Sequence, residues 1–322
     1  MPSRERPLRL AVLGCGRIAA RHARTIRRLD PAVTCSFASR DPDRAARYAR
    51  ELRGTRAWPT YGAAIEASSV DAVLITTPPS EHLRLAHAAL RAGKDVIVEK
   101  PAFLTSADAS CLAQYAARAN RQVLVAENYA YKPLVAALRE SVTSGRLGEV
   151  RIVSVQALKR LDRKDWRDDP ALAGGGALFE GGIHWLHLMA SLGLTIESVQ
   201  GHRPGTLEGI ERSMLVTVQY EEGAVGTLAH SWETPGLLRG LQLSRIAGTR
   251  GSLTFESNGV ALYEHAPRGR GWCVPGLRDI EGYRAMFADF FGALRAGHQP
   301  RMTLQRAIQD LQLAEAVDRS LP

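Results

Sequence analysis

Residues 8–23, LRLAVLGCGRIAARHA, constrain this chain most. Leu8, Leu10, Ala11, Val12 and Leu13 make an apolar run long enough for a buried strand. Gly14, Gly16 and Ala19 follow with the spacing G-x-G-x-x-A, and Ile18 to Leu29 is a helix-like stretch without internal Gly or Pro. Strand, glycine turn and helix in this order form the layout that binds a dinucleotide pyrophosphate. Gly14 permits the tight turn, Gly16 lets backbone approach the phosphates, and Ala19 lets helix and strand pack closely. The helix start, with Arg17 and Ile18, offers free N–H groups and a partial positive charge. A tight structural turn carries the same pattern; the nucleotide reading gains from a chain that continues in βαβ style.

Ala32 to Ala38 alternates as a second strand and ends at Ser39-Arg40. This is where such a fold reads the adenosine ribose. An acid there bonds the free 2′-hydroxyl of NAD, whereas Arg40, with Arg44 one turn on, suits the 2′-phosphate of NADP. Asp41 competes as a ribose ligand, but it also stands where a helix N-cap is needed, before Pro42. The expected cofactor is NADP, with NAD as the alternative. The strand Asp71 to Thr76 runs into Thr77-Pro78-Pro79-Ser80-Glu81-His82, with Ser80 expected to cap the next helix and His82 either touching the cofactor or merely opening that helix. The strand Asp95 to Val98 ends in Glu99-Lys100-Pro101. A lysine past a strand's carboxyl end is held over the ligand crevice, or it is an ordinary solvated lysine. Gln122 to Ala126 is a further strand leading into Glu127-Asn128-Tyr129. The predicted division is 1–127, a dinucleotide-binding domain, and 128–322.

The second half changes character. A polar loop, Lys159 to Pro170, precedes Gly174-Gly175-Gly176, and residues 177–193 read as one helix. From Ile196 on, strand candidates alternate with turns such as Glu222-Gly223 and Asn258-Gly259, which predicts an α+β domain on an open sheet. Two helices close the chain. Glu180, His184 and His187 stand at i, i+4 and i+7, on one face if the segment is helical. Three readings stay open on the residues alone: His184 as acid or base oriented by Glu180, a metal site, or satisfied core histidines.

Several of these segments occur together. Gly14-x-Gly16-x-x-Ala19, Thr77-Pro78-x-x-x-His82, Glu99-Lys100-Pro101 and Gly174-Gly175-Gly176-Ala177-Leu178-x-Glu180-x-Gly182-Ile183-His184, in that order, resemble the glucose–fructose oxidoreductase/inositol dehydrogenase family, also called Gfo/Idh/MocA. The resemblance covers nearly the whole chain. It implies an α/β Rossmann domain plus an α+β domain with an open, mainly antiparallel sheet that often forms an oligomer face, here a homo-oligomer, dimer or tetramer. It also implies NAD(P)-dependent chemistry on a sugar, polyol or cyclitol. Lys100 matches the lysine that polarises the reacting oxygen, and His184 matches the catalytic histidine. Glu180 stands where the family usually has aspartate, and His187 where a second aspartate is common, which puts the usual substrate in question. Taken together with the residue readings above, the candidate cofactor contacts are Gly14, Gly16, Arg17, Ile18, Ser39, Arg40, Arg44, Thr77, Pro78, His82, Glu99, Lys100 and Asn128. Lys100, Trp166, Arg167, Glu180, His184 and His187 would face substrate, with no metal. A cofactor-binding regulator on the same fold is the alternative function.

Composition narrows the partners. The net charge of +9 invites nucleic acid, but only five of the 42 basic residues are lysines, and the arginines are spread along the chain. An arginine bias explains this without a nucleic-acid surface. No apolar stretch is long enough to span a bilayer and no apolar signal core precedes the first strand, so the chain reads as cytoplasmic. The four cysteines are far apart and form no C-x-x-C, as expected of reduced thiols.

Overall fold

The computed structural model describes residues 7–161, 165–205, 209–235, 241–267 and 269–321. The chain folds into two compact units, Met1–Glu127 with Tyr283–Ile308, and Asn128–Gly282 with Gln309–Pro322. A single cut after residue 127 therefore overlooks a return of the chain to the first unit.

In the first unit, β1 (Leu8–Leu13), α1 (Arg17–Leu29), β2 (Val33–Ala38), α2 (Pro42–Glu51), β3 (Ala57–Trp58), α3 (Tyr61–Glu66), β4 (Ala72–Ile75), α4 (His82–Arg91), β5 (Asp95–Glu99), α5 (Ser106–Arg118) and β6 (Val123–Ala126) alternate. The sheet order is β3-β2-β1-β4-β5-β6, with every neighbouring pair parallel. Strand order reverses between β1 and β4, so the ligand crevice of such a sheet opens beyond their carboxyl ends. Helices on both faces leave β4 and β6 wholly buried, which is why these strands read as continuous apolar runs. α1 buries Ala19, Ala20, Ala23 and Ile26 along one stripe. Asp41, Thr60 and Thr105 cap α2, α3 and α5 by accepting from backbone N–H groups. Ser80 does not cap α4: a 3₁₀ turn, Pro79–Glu81, leads into that helix instead.

In the second unit come α6 (Pro133–Thr143), β7 (Val150–Leu158), α7 (Pro170–Ala173) and α8 (Ile183–Ala190). They are followed by β8 (Ile196–His202), β9 (Ser213–Tyr220), β10 (Val225–Ser231), β11 (Leu243–Gly248), β12 (Ser252–Glu256), β13 (Leu262–Ala266) and β14 (Gly269–Cys273). The sheet order is β14-β13-β12-β11-β7-β10-β9-β8, antiparallel at each junction except the parallel pair β7–β10. One face packs Val153, Val155, Val216, Val218, Leu228 and Ile246 against Trp185, Leu188 and Met189 of α8. The other face leaves Ile152 and Leu243 more than half exposed, at 57% and 53%.

The chain then returns. α9 (Tyr283–Ala296) belongs to the first unit, and α10 (Leu304–Arg319) starts there and ends in the second. α9 buries Phe287, Phe290 and Phe291, and its Arg295 pairs with Asp30 at 2.7 Å. Burying each ring contributes on the order of 2–3 kcal/mol, enough to recruit a sequence-distant helix.

The helix expected over 177–193 is only partly α. It opens with a wide π turn, Leu178–Gly182, before α8. The turn is held by Glu211, whose Oε1 accepts from Leu178 N at 2.8 Å and whose carbonyl accepts from Ala177 N at 2.9 Å. A Cβ on Gly176 would lie 1.5 Å from Glu211 Oε2, so the approach requires glycine.

Candidate functional site

The strand, glycine turn and helix that open the first unit take the form the sequence predicts. Gly14 has φ +102°, and a Cβ there would lie 2.9 Å from the Thr76 carbonyl carbon and oxygen. Thr76 Oγ1 donates to the Gly14 carbonyl at 2.9 Å, so β1 and β4 close tightly at the switch point. Gly16 precedes α1 with no side chain to cap it, the first turn carries no acid, and a Cβ at Gly16 would meet nothing within 4 Å. Open space thus faces uncapped N–H groups at the start of a 13-residue helix, where Arg17 is exposed and Ile18 partly buried. Thr77 Oγ1, beyond β4, is buried with no hydrogen-bond partner among the described residues. These features fit an anionic dinucleotide.

At the end of β2, the Asp41 carboxylate accepts from Arg44 N at 3.1 Å, and Asp41 N donates to Ser39 Oγ at 3.2 Å. Asp41 is therefore engaged as the α2 cap. Arg40 and Arg44 are exposed. Arg47, which no sequence spacing singles out, joins Arg44 in drawing down the Cys15 thiol, although burial dominates and pushes it up to about 11. Arg44 and Arg47 thus act on Cys15 of the glycine turn, and Arg40 stands just past the end of β2.

Around Lys100 the structure corrects two assignments. His82 is fully buried, its Nδ1 bonded to the carbonyls of Pro101 at 3.0 Å and Ala102 at 3.1 Å, its Nε2 to that of Thr77 at 2.9 Å. It has no ring nitrogen left to offer a cofactor. Glu99 is turned inward as well: its carboxylate accepts a hydrogen bond from His22 Nε2 and another from Lys100 N at 3.1 Å. Lys100 itself is half-buried just past the end of β5.

In the second unit the π turn and α8 present Glu180 and His184. Arg167 Nη2 pairs with Glu180 Oε1 at 3.1 Å and Arg167 Nη1 with Asp165 Oδ2 at 2.8 Å, while the guanidinium lies 4.5 Å from the Trp166 ring centre. The His184 ring stacks on Tyr129 at 4.5 Å and 13°, and Lys132 Nζ lies 4.1 Å from the same tyrosine ring. Tyr129 and Lys132 precede α6, far from His184 in sequence, and no spacing rule could have joined them. His187 is elsewhere: it is buried, its Nδ1 bonds Asp310 Oδ2 at 2.8 Å and its Nε2 lies 3.4 Å from Ser191 Oγ. It ties α8 to α10 and does not join Glu180 and His184. Asn128 Nδ2 donates to the Glu281 carbonyl at 2.6 Å, a contact inside this unit. Of the loop Lys159–Arg167, residues 162–164 lie outside the described residues. No cluster of three or more His, Cys, Asp or Glu is placed to hold a metal among the described residues.

Residues 8–127 match an oxidoreductase family with an NAD-binding Rossmann fold, and residues 135–254 match the GFO/IDH/MocA C-terminal domain. The chain belongs to the Gfo/Idh/MocA family. Members similar to it include a dTDP-3,4-didehydro-2,6-dideoxy-alpha-D-glucose 3-reductase of Streptomyces violaceoruber, 33% identical over 78% of this chain and 73% of the relative. D-xylose 1-dehydrogenase (NADP(+)) 2 of Haloferax volcanii is 29% identical over 90% of this chain and 92% of its own. Among solved structures, GenD2 from gentamicin A biosynthesis in complex with NAD superposes with a TM-score of 0.83 at 26% identity, covering 97% of this chain and 93% of that one. This Gfo/Idh/MocA member is an NAD(P)-dependent oxidoreductase. Among its described residues, no helix is long and apolar enough to cross a membrane.

Proposed function

We propose that this oxidoreductase interconverts a secondary alcohol and a ketone on a sugar-like ring, with NADP(H) as the preferred cofactor. The observation that carries the reading is Lys100, held just past the carboxyl end of β5 on the edge where a parallel sheet of this order binds its dinucleotide. The nicotinamide supplies or accepts the hydride. Gly14, Gly16, Arg17 and Ile18 would hold the pyrophosphate, with Thr77 and Pro78 beside it and Ser39, Arg40 and Arg44 at the adenosine end. The Lys100 ammonium donates a hydrogen bond to the reacting oxygen and stabilises its negative charge. His184 takes the hydroxyl proton as the carbonyl forms and returns it in the reverse direction. Glu180 favours the charged imidazole and fixes a substrate hydroxyl.

NADP is preferred because Asp41 caps α2, which leaves arginine as the charge at the end of β2. The relative named for NADP(+) supports this; the neighbour bound to NAD keeps NAD as the alternative. Arg167 is balanced by both Asp165 and Glu180, so the wall it forms with Trp166 suits a neutral polyhydroxylated ring rather than an anion. His187 is assigned to structure, not to substrate. The exposed apolar sheet face around Ile152, Leu215, Val225 and Leu243 is assigned to a second copy of the chain, as expected of a cytoplasmic homo-oligomer.

A panel of free sugars, cyclitols, sugar acids and nucleotide sugars, each offered with NADPH, NADP⁺, NADH and NAD⁺, tests this. Reduced-nicotinamide absorbance should change with at least one neutral sugar-like compound, and faster with the phosphorylated cofactor. Tight NADPH binding with no turnover across the panel would point instead to a regulator.

A further inference from the structure

Two buried histidines meet the Lys100 turn, and nothing in the hydride chemistry uses either. His22 comes from α1, the helix that faces the pyrophosphate. Its Nε2 donates to Glu99 Oε1, while Glu99 Oε2 accepts the N–H of Lys100 at 3.1 Å. His22 Nδ1 has no partner among the described residues, so the single bond that orients the ring is the one to Glu99. The rings of Tyr283 and Phe287 pack edge-to-face against the imidazole, with centres 5.4 and 5.0 Å away. His82 comes from the start of α4. It bridges the carbonyl of Thr77, beyond β4, to those of Pro101 and Ala102, beyond β5. Every group facing its nitrogens is an acceptor, so all contacts are hydrogen bonds only when both nitrogens carry protons. Burial opposes that charge and outweighs the three carbonyls and Glu99, which favour it, so the ring is held below the usual histidine range; in the neutral ring the one proton donates on one side, and Nδ1–H reaches both the Pro101 and Ala102 carbonyls.

We propose that His22 and His82 are positioning residues for Lys100: His22 grips the residue before it through Glu99, and His82 grips the two residues after it. Lysine is a point charge on a flexible stem, so its aim depends on where its backbone is held. A misplacement of about 1 Å in a reacting group can cost roughly 10²-fold in rate. Tying the turn to α1 and to the end of β4 couples the lysine's aim to the elements that seat the dinucleotide. The inference rests on the reading of Lys100 as the oxyanion donor.

The test compares two amides at one position. His22→Gln places an amide nitrogen about where Nε2 was and can still donate to Glu99. His22→Asn has the same chemistry but falls short. His22→Asn should speed hydrogen exchange of the Lys100 amide by tenfold or more, read on a peptide spanning residues 97–103. It should lower kcat roughly tenfold, with KM and the NADPH dissociation constant within about threefold. His22→Gln should restore both readings. Lys100→Met should lower turnover roughly 10²-fold, and adding His22→Asn to it should cost little more. If the amide exchanges at the parent rate in His22→Asn, or Asn and Gln behave alike, the proposal is overturned. A loss of kcat that adds fully to that of Lys100→Met overturns it too. His82→Leu provides a second route: it should also speed exchange over residues 97–103, and parent-like exchange there would contradict the grip assigned to His82. Near-normal turnover in Lys100→Met alone would instead defeat the reading of Lys100, while hydrogen exchange still reports whether the histidines hold the turn.

Discussion

The turn that carries Lys100 and the turn that carries His184 are held by different means. Around Lys100 the work is done by hydrogen bonds to backbone: Glu99 accepts Lys100 N, and His82 reaches the carbonyls of Pro101 and Ala102. Around His184 it is done by side chains, with Tyr129 stacked on the imidazole and Arg167 pairing Glu180. The difference suits the tasks proposed above for the two groups. An ammonium acts wherever its charge is placed, so holding the backbone suffices. An imidazole that moves a proton must present one nitrogen in one direction, so its ring plane itself has to be held.

The largest effect should come from the second turn. His184→Ala is expected to lower turnover by roughly 10²- to 10⁴-fold, the range for a positioned acid or base. Tyr129→Leu removes the stack and should cost about tenfold in kcat, whereas Tyr129→Phe keeps the ring and should stay within about threefold of the parent. On the proposed reading, in which the Glu180 carboxylate favours the protonated His184, Glu180→Gln removes that charge. The pH profile of kcat/KM should therefore shift its acidic limb to lower pH while the rate falls. If Tyr129→Leu matches Tyr129→Phe, ring stacking is not what aims His184, and the contrast between the two turns collapses.

The cofactor end of the first unit sharpens the same contrast, because its arginines stand on exposed side chains, Arg44 lying 3.8 Å from an equally exposed Asp41. Arg40→Asp should weaken NADPH binding by about 1.5–3 kcal/mol, roughly 10- to 150-fold, and leave NADH binding within a few-fold. Titrating both cofactors by fluorescence checks this. Equal dissociation constants for NADH and NADPH in the parent protein would remove the basis for the NADP preference.

The smallest effect concerns the latch behind the His184 turn. Burial pushes the Glu211 carboxyl up to about 7, with Asp318 adding to the rise and the N–H of Leu178 opposing it. The folded protein therefore binds that proton more tightly than the unfolded chain, whose glutamate titrates near 4.5. Stability from this group is greatest at low pH, falls as pH rises from about 4.5 to 7, and is flat above. The swing is on the order of 1–3 kcal/mol. Glu211→Gln keeps a carbonyl to accept from Leu178 and cannot titrate. Its Tm should fall less between pH 5 and 7 than the parent's. A parent Tm that rises over that interval, with no difference in Glu211→Gln, would reverse the sign assigned here.

The amino-acid sequence by itself determined the parallel sheet, the glycine turn, the Asp41 and Thr105 caps and the candidates Lys100, Glu180 and His184. These depend on local spacing: an apolar run, a glycine where a Cβ would strike Thr76, a side-chain oxygen three residues ahead of an N–H. Tertiary structure alone decided the return of α9 to the first unit, the π turn at Leu178–Gly182, the inward use of His82 and Glu99, and the pairing of His187 with Asp310. A histidine's spacing on a helix tells which face it shares, but not whether a carbonyl, a carboxylate or open space waits there. Its partners lie as far as 123 residues away for His187 and 77 for His22. Local pattern carries no term for such contacts, because they exist only after distant elements have packed and water has left the ring.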